Sequence, residues 1–197
     1  MPVWFWFALS GLAGGLVLSH LWGELAATVG RWVRGERVIL THFSPKGGCT
    51  AAVVNELAAA RHEVLVQAYS FTCKDIAAAL VAAAGRGVKV AVLLDRSNET
   101  ETHTELGDLT GHGIDLLIDS CHAIAHNKVM VIDGRTVLTG SFNFTNQAEH
   151  ENAENLLVLR NHPELAAAYR QNFHAHHAHC QRPGQPAPHL ARLRKAG

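Results

Sequence analysis

His126 and Lys128 open the stretch HNKVMVIDGRTVLTGSFNFT (126–145), and their types and spacing suit chemistry on a phosphoryl group. An imidazole attacks or carries a proton, and an ammonium supplies positive charge to non-bridging oxygens. On an extended strand side chains alternate, so His126, Lys128, Met130 and Ile132 share one face while Asn127, Val129, Val131 and Asp133 share the other. The polar pair therefore marks the lip of a site at the open end of a strand whose deeper positions are apolar. Ser141 and Asn143 are again two apart and project together, and Gly140 allows close backbone approach to a ligand. Glu154 and Asn155 open a further strand. A nucleophile, several donors and a carboxylate in this order describe a phosphoester site.

The preceding sequence supplies elements to hold it. RVILTHFSP (37–45) reads as a strand ended by Pro45, and CTAAVVNELAAARH (49–62) as an Ala-rich helix. A strand over Glu63–Phe71, a helix over KDIAAALVAAAGRG (74–87) and an apolar strand VKVAVLLD (88–95) follow. ETHTELGDLTGHG (101–113) predicts another helix and IDLLID (114–119) a short strand. Asp133-Gly134 suits a tight hairpin turn. AENLLVLR (153–160) adds a strand, and PELAAAYRQNFHAHHAH (163–179) a final helix begun by Pro163. Apolar strands alternating with helices predict an α/β fold, a mixed, largely parallel sheet with helices on both faces.

With 197 residues the chain suits one catalytic domain, placed at 31–180, with a Pro-rich basic tail over 181–197 expected to be disordered. Lys plus Arg (17) equals Asp plus Glu (17), so any polyanion must be met by local charge. Cys49, Cys73, Cys121 and Cys180 form no CxxC pair and read as thiols, with a Cys49–Cys73 bridge left open. Val3–Leu21 is apolar over about the length needed to cross a bilayer. Arg31, Arg34 and Arg37 follow it, so residues 1–30 are expected to be a membrane anchor with the domain on the cytoplasmic side, export being the alternative. Gly11 and Gly15 in that segment read as ordinary membrane-helix glycines before they read as a dimerisation motif.

HNKVMVIDGRTVLTGSFN resembles the signature HxK(x)4D(x)6GSxN of the phospholipase D superfamily, with Glu154 in AENLLVL as a further match. The chain is most similar to the small single-motif members, the Nuc-type bacterial endonucleases and the mitochondrial cardiolipin hydrolase or Zucchini group. It departs from the latter in lacking a Cys/His finger after the first strand, where only Cys49 stands. The resemblance implies a phosphohistidine intermediate, no metal and no cofactor, and Glu154 as the acid that orients the His ring.

In-line displacement at phosphorus puts the attacking atom and the leaving oxygen on opposite sides, so one imidazole cannot perform both tasks. The family resemblance supplies two facing motif copies. This chain has one, and its other His-rich run, HAHHAHC (174–180), lacks the Lys, Asp and Gly-Ser elements. The expected unit is a homodimer with a shared site, where His126 of one chain is nucleophile and His126 of the other is acid. Lys128, Ser141 and Asn143 then bind substrate oxygens. Asp133 falls on the opposite face before Gly134 and reads as structural.

The His-rich run (His174, His176, His177, His179, Cys180) has ligand chemistry suited to zinc, yet helical spacing scatters it over several faces and nothing else in the sequence frames a site, so it reads as a solvated helix end. His42 could line the site or sit in a loop, and Cys121 and His122 could border the groove. The substrate is a phosphodiester, and nucleic acid is favoured over membrane phospholipid such as phosphatidylcholine or cardiolipin. A non-catalytic membrane-anchored binding protein is the distant alternative, disfavoured because binding gives no reason to keep His126 and Glu154 together.

Overall fold

Seven strands form a single sheet in the order β1-β7-β6-β5-β2-β3-β4, as a computed structural model of the chain describes over residues 35–100 and 105–185. The strands are β1 (Val38–Phe43), β2 (Glu63–Ala68), β3 (Lys89–Asp95), β4 (Asp115–Asp119), β5 (Lys128–Ile132), β6 (Thr136–Gly140) and β7 (Asn155–Arg160). The helices are α1 (Cys49–Ala59), α2 (Lys74–Gly85), α3 (Leu106–Leu109), α4 (Asn146–His150) and α5 (Pro163–His177), with a 3-10 turn at Arg96–Glu99. The α/β class and the mixed sheet agree with the sequence. Parallel pairing is confined to β2-β3-β4, and the β5–β6 hairpin, β7 and β1 pair antiparallel, as do β2 and β5. The helix expected over 101–113 is described only as the short α3, where Gly107, Gly111 and Gly113 weaken a longer one.

Two apolar layers cover the sheet. Val64, Val66, Val92, Met130, Ile132 and Leu138 face one side, beneath Val53 and Leu57 of α1 and Ile76 and Leu80 of α2. Leu65, Leu93, Val129, Val131 and Val137 face the other, beneath Ala166 and Phe173 of α5. Met130 and Ile132 thus share one face and Val129 and Val131 the other, as strand alternation requires.

Strand direction brings the ends of β1, β2, β3, β4 and β6 and the starts of β5 and β7 to one edge of the sheet. At the opposite edge Asp133 makes the turn into β6, with positive φ at both Asp133 (52°) and Gly134 (63°). Its carboxylate accepts hydrogen bonds from the backbone amides of Arg61 (3.0 Å), His62 (2.7 Å) and Glu63 (3.0 Å), at the entry to β2. The β5–β6 hairpin is thereby clamped to β2 at the end far from His126.

Several expectations change. Cys49 and Cys73 are buried free thiols, not a bridge. Gln181, expected to start a disordered tail, exchanges backbone hydrogen bonds with Ile118 on the edge strand (2.7 and 3.1 Å). Residues 186–197 lie outside the described residues. The expectation of a membrane-anchored protein is corrected: among the described residues no helix is long and apolar enough to cross a membrane. The segment 1–30 on which that anchor was placed, Gly11 and Gly15 included, also lies outside the described residues, so neither the anchor nor a localisation inferred from it has structural support.

Asp133→Asn keeps a residue tolerant of positive φ but replaces the charged acceptor, and it is expected to lower unfolding stability by about 1–2 kcal/mol in urea titration. An unchanged midpoint would show that the clamp contributes nothing.

Candidate active site

His126 lies on the connection between β4 and β5, and three backbone contacts fix its position. The amide of Ala125 donates to Asp95 Oδ2 (2.7 Å) at the end of β3. The amide of Tyr69, just past β2, donates to the carbonyl of Asn127 (3.0 Å). Lys128 Nζ donates to the carbonyl of His126 itself (2.8 Å). The imidazole is exposed and tilts against the Tyr69 ring, centroids 4.7 Å apart.

Lys128 differs from an ordinary surface lysine. It is only 6% exposed, with Nζ 4.9 Å above the centre of the Tyr69 ring. Burial lowers its pKa below the usual lysine range, and the nearby negative charge of Glu154 works in the opposite direction. The ammonium carries three donors, of which the His126 carbonyl takes one. A largely desolvated cation with donors to spare is a site for an anion.

The segment after β6 completes the lip through alternation. Phe142 and Phe144 are fully buried, while Ser141 is exposed and Asn143 half-buried. Phe144 meets Phe71 edge-on with centroids 6.2 Å apart, and its carbonyl accepts from the amides of Thr72 and Cys73 at 3.0 Å each. Ser141 Oγ accepts from the backbone amide (3.1 Å) and side-chain amide (3.2 Å) of Asn155, which leaves its own proton free to donate outward. Asn143 Oδ1 is buried without a hydrogen-bond partner.

Gly140 has a different reason from the one expected. A Cβ there would lie 2.2 Å from the Asn155 carbonyl oxygen, so the glycine admits the neighbouring strand rather than a ligand. Extending the β5–β6 register by one pair sets Gly140 opposite Lys128. Glu154 is half-buried; its Oε1 accepts from Asn152 Nδ2 (3.1 Å), and no hydrogen bond joins it to His126 among the described residues. Its field reaches Lys128 instead. Asp133 stands at the far end of β5. His42 lies within β1, paired with Leu156 at the level of Gly140, and not in a loop.

Sequence reasoning missed the groups that carry this edge. Asp95 and Asn98 bind the strand ends: Asn98 Nδ2 donates to the carbonyl of Tyr69 (2.6 Å) and Oδ1 accepts from the amide of Phe71 (3.2 Å). The one available signal was a carboxylate closing an apolar strand at Asp95. His122 does not border the motif freely, because its Nδ1 bonds Asp119. The His-rich run is likewise not a solvated end: His176 bonds Asp119 at 2.9 Å and His177 bonds Asp115 at 2.8 Å.

Comparison with known proteins is consistent with this geometry. Residues 53–177 match the family model described as cardiolipin synthase, PLD-like domain. The chain is 44% identical over 135 residues to a phospholipase D of Rickettsia conorii, spanning 68% of this chain and 67% of that one. It is 34% identical over 105 residues to the mitochondrial cardiolipin hydrolase of Xenopus tropicalis, spanning 53% and 50%. Among solved structures it is similar to Nuc of Salmonella typhimurium, a phospholipase D family member, with TM-score 0.72, 36% identity and coverage of 74% of this chain and 97% of that one.

Burial favours the neutral form of Lys128, so its charge is lost at lower pH than in a free lysine. The alkaline limb of kcat/KM is therefore expected below the ordinary lysine range, near 10.4, and Lys128→Arg is expected to move it upward. Coincident alkaline limbs in the two proteins would remove Lys128 charge from the rate.

Proposed function

The chain belongs to the phospholipase D superfamily and is a phosphodiesterase, and on that premise we propose that it hydrolyses phosphodiesters of nucleic acid through a covalent phosphohistidine on His126. The observation that carries the reading is the gathering of His126, buried Lys128, Ser141 and Asn143 at one sheet edge.

In the first step His126 attacks phosphorus, a P–N bond forms, and the P–O bond to the leaving group breaks as a second imidazole delivers a proton to that oxygen. In the second step the same imidazole takes a proton from water, whose oxygen attacks phosphorus and releases His126. Lys128, the outward proton of Ser141 and the amide of Asn143 stabilise charge on the non-bridging oxygens. The chemistry is proposed to need no metal.

The second imidazole is proposed to be His126 of a second copy of the chain. One motif per chain supports this. Glu154, held by Asn152 in the single chain, is proposed to meet a His126 ring once two chains are apposed.

Nucleic acid is favoured because size and a single motif copy make the chain resemble the Nuc-type endonucleases, and its fold covers 97% of the Salmonella Nuc chain. Phospholipid is the second reading, favoured by the 44% identity to a Rickettsia phospholipase D. The binding-protein alternative falls with the family assignment.

His126→Ala is expected to abolish cleavage of an aryl phosphodiester in EDTA-treated protein that remains folded by circular dichroism. When wild type and His126→Ala are co-refolded in equal amounts, activity is expected to fall to about a quarter of that of undiluted wild type, because only wild-type pairs turn over. Retention of half would mean that each chain works alone. Among single-stranded DNA, duplex DNA, RNA and vesicles of phosphatidylcholine or cardiolipin, the nucleic acids are expected to be cleaved; consumption of lipid alone would replace the first reading with the second.

A further inference from the structure

Three separate segments bring imidazoles around one buried carboxylate at the free edge of the sheet. Asp119 is the last residue of β4, and its side chain is 2% exposed. His122 follows it on the connection that leads to His126, His176 stands in the last turn of α5, and His179 lies just beyond that helix. His176 and His179 are three residues apart and so share a face at the helix end.

The imidazole nitrogens converge on Asp119 Oδ2. His122 Nδ1 and His176 Nδ1 each lie 2.9 Å from it and His179 Nε2 lies 3.6 Å away. One donor atom from each of the four residues falls within 4.8 Å of all the others. A tetrahedral zinc ion with bonds of about 2.0–2.1 Å sets its ligand atoms about 3.3 Å apart, so these separations bracket the required value. The carboxylate is also oriented by the backbone: Oδ1 accepts from the amides of Cys121 (3.1 Å) and His122 (3.4 Å) and lies 3.0 Å from His122 Nδ1, while Oδ2 is the oxygen that all three rings approach.

Hydrogen bonding alone does not satisfy this cluster. His179 Nε2 is buried and has no hydrogen-bond partner. Ring centroids lie 4.7 Å (His122–His176), 5.1 Å (His122–His179) and 5.4 Å (His176–His179) apart, too close for three charged imidazolium rings around one negative group. A cation accepting a lone pair from each nitrogen and from Oδ2 satisfies all four groups together.

We infer that Asp119, His122, His176 and His179 bind a divalent transition metal of the zinc class as a structural clasp. Three imidazoles and one carboxylate select Zn2+, Co2+ or Ni2+ over Mg2+ and Ca2+, and four protein ligands leave no open position for substrate. The clasp ties the edge strand β4 to the end of α5, beside the Ile118–Gln181 backbone pair, and anchors the connection that carries His126. The other members of the run stay outside it, His177 bonded to Asp115 and His174 exposed.

The test uses the full untagged chain, stripped of metal by a chelator and then titrated with Co2+ alone. About one equivalent per chain with the intense visible absorption of four-coordinate cobalt is expected, displaced by Zn2+, which also raises the melting temperature. His179→Gln and His122→Ala are each expected to lose that spectrum, whereas His174→Ala and His177→Ala retain it. His122 is 45% exposed on a connection, so its variant decides the outcome if His179→Gln fails to fold. Substoichiometric binding by the wild type, or an unchanged four-coordinate spectrum in His122→Ala, would overturn the assignment, and neither result depends on turnover.

Discussion

The antiparallel seam between β2 and β5 is the constraint from which the rest of the site follows. It joins the parallel half of the sheet to the hairpin half, and a slip of one residue would turn Lys128 to the opposite face. Both ends of the seam are pinned. Asp133 gathers three amides at one end, and at the other Tyr69 and Asp95 bind the backbone on either side of His126. The motif aspartate and the motif histidine thus stand at opposite ends of one strand, the first holding register and the second exposed at the lip, where the proposed mechanism needs it.

Burying Lys128 is the expensive part of this arrangement. An ammonium removed from water with one carbonyl, an aromatic face and the field of the Glu154 carboxylate as company is under-compensated until an anion arrives. The surrounding sheet meets that cost with paired Phe side chains beneath the lip and a continuous apolar layer under α1 and α2. Stability built elsewhere holds a poised charge where a phosphoryl group can use it.

Strand periodicity alone assigned His126 and Lys128 to one face, Asp133 to the other, and Ser141 and Asn143 to a common outward side, because alternation is a local property. The hairpin turn was legible for the same reason. What escaped is non-local. The Asp119 cluster unites residues 57 apart in sequence, and the Asp95 contact with Ala125 spans 30. Helical spacing correctly split the His-rich run between faces, yet it could not show that one face meets a carboxylate from β4. The parallel share of the sheet was overstated since an apolar strand looks the same beside a parallel or an antiparallel neighbour. Gly140 was assigned to ligand approach, when the atom it admits belongs to β7.

In the proposed mechanism, one motif histidine per chain and two imidazoles at phosphorus make association part of the chemistry. The most direct measurement is specific activity against protein concentration, with mass followed by sedimentation across the same dilution series. Activity per chain should collapse as the species of twice the chain mass dissociates; constant activity per chain in a solution of single chains would contradict a shared site.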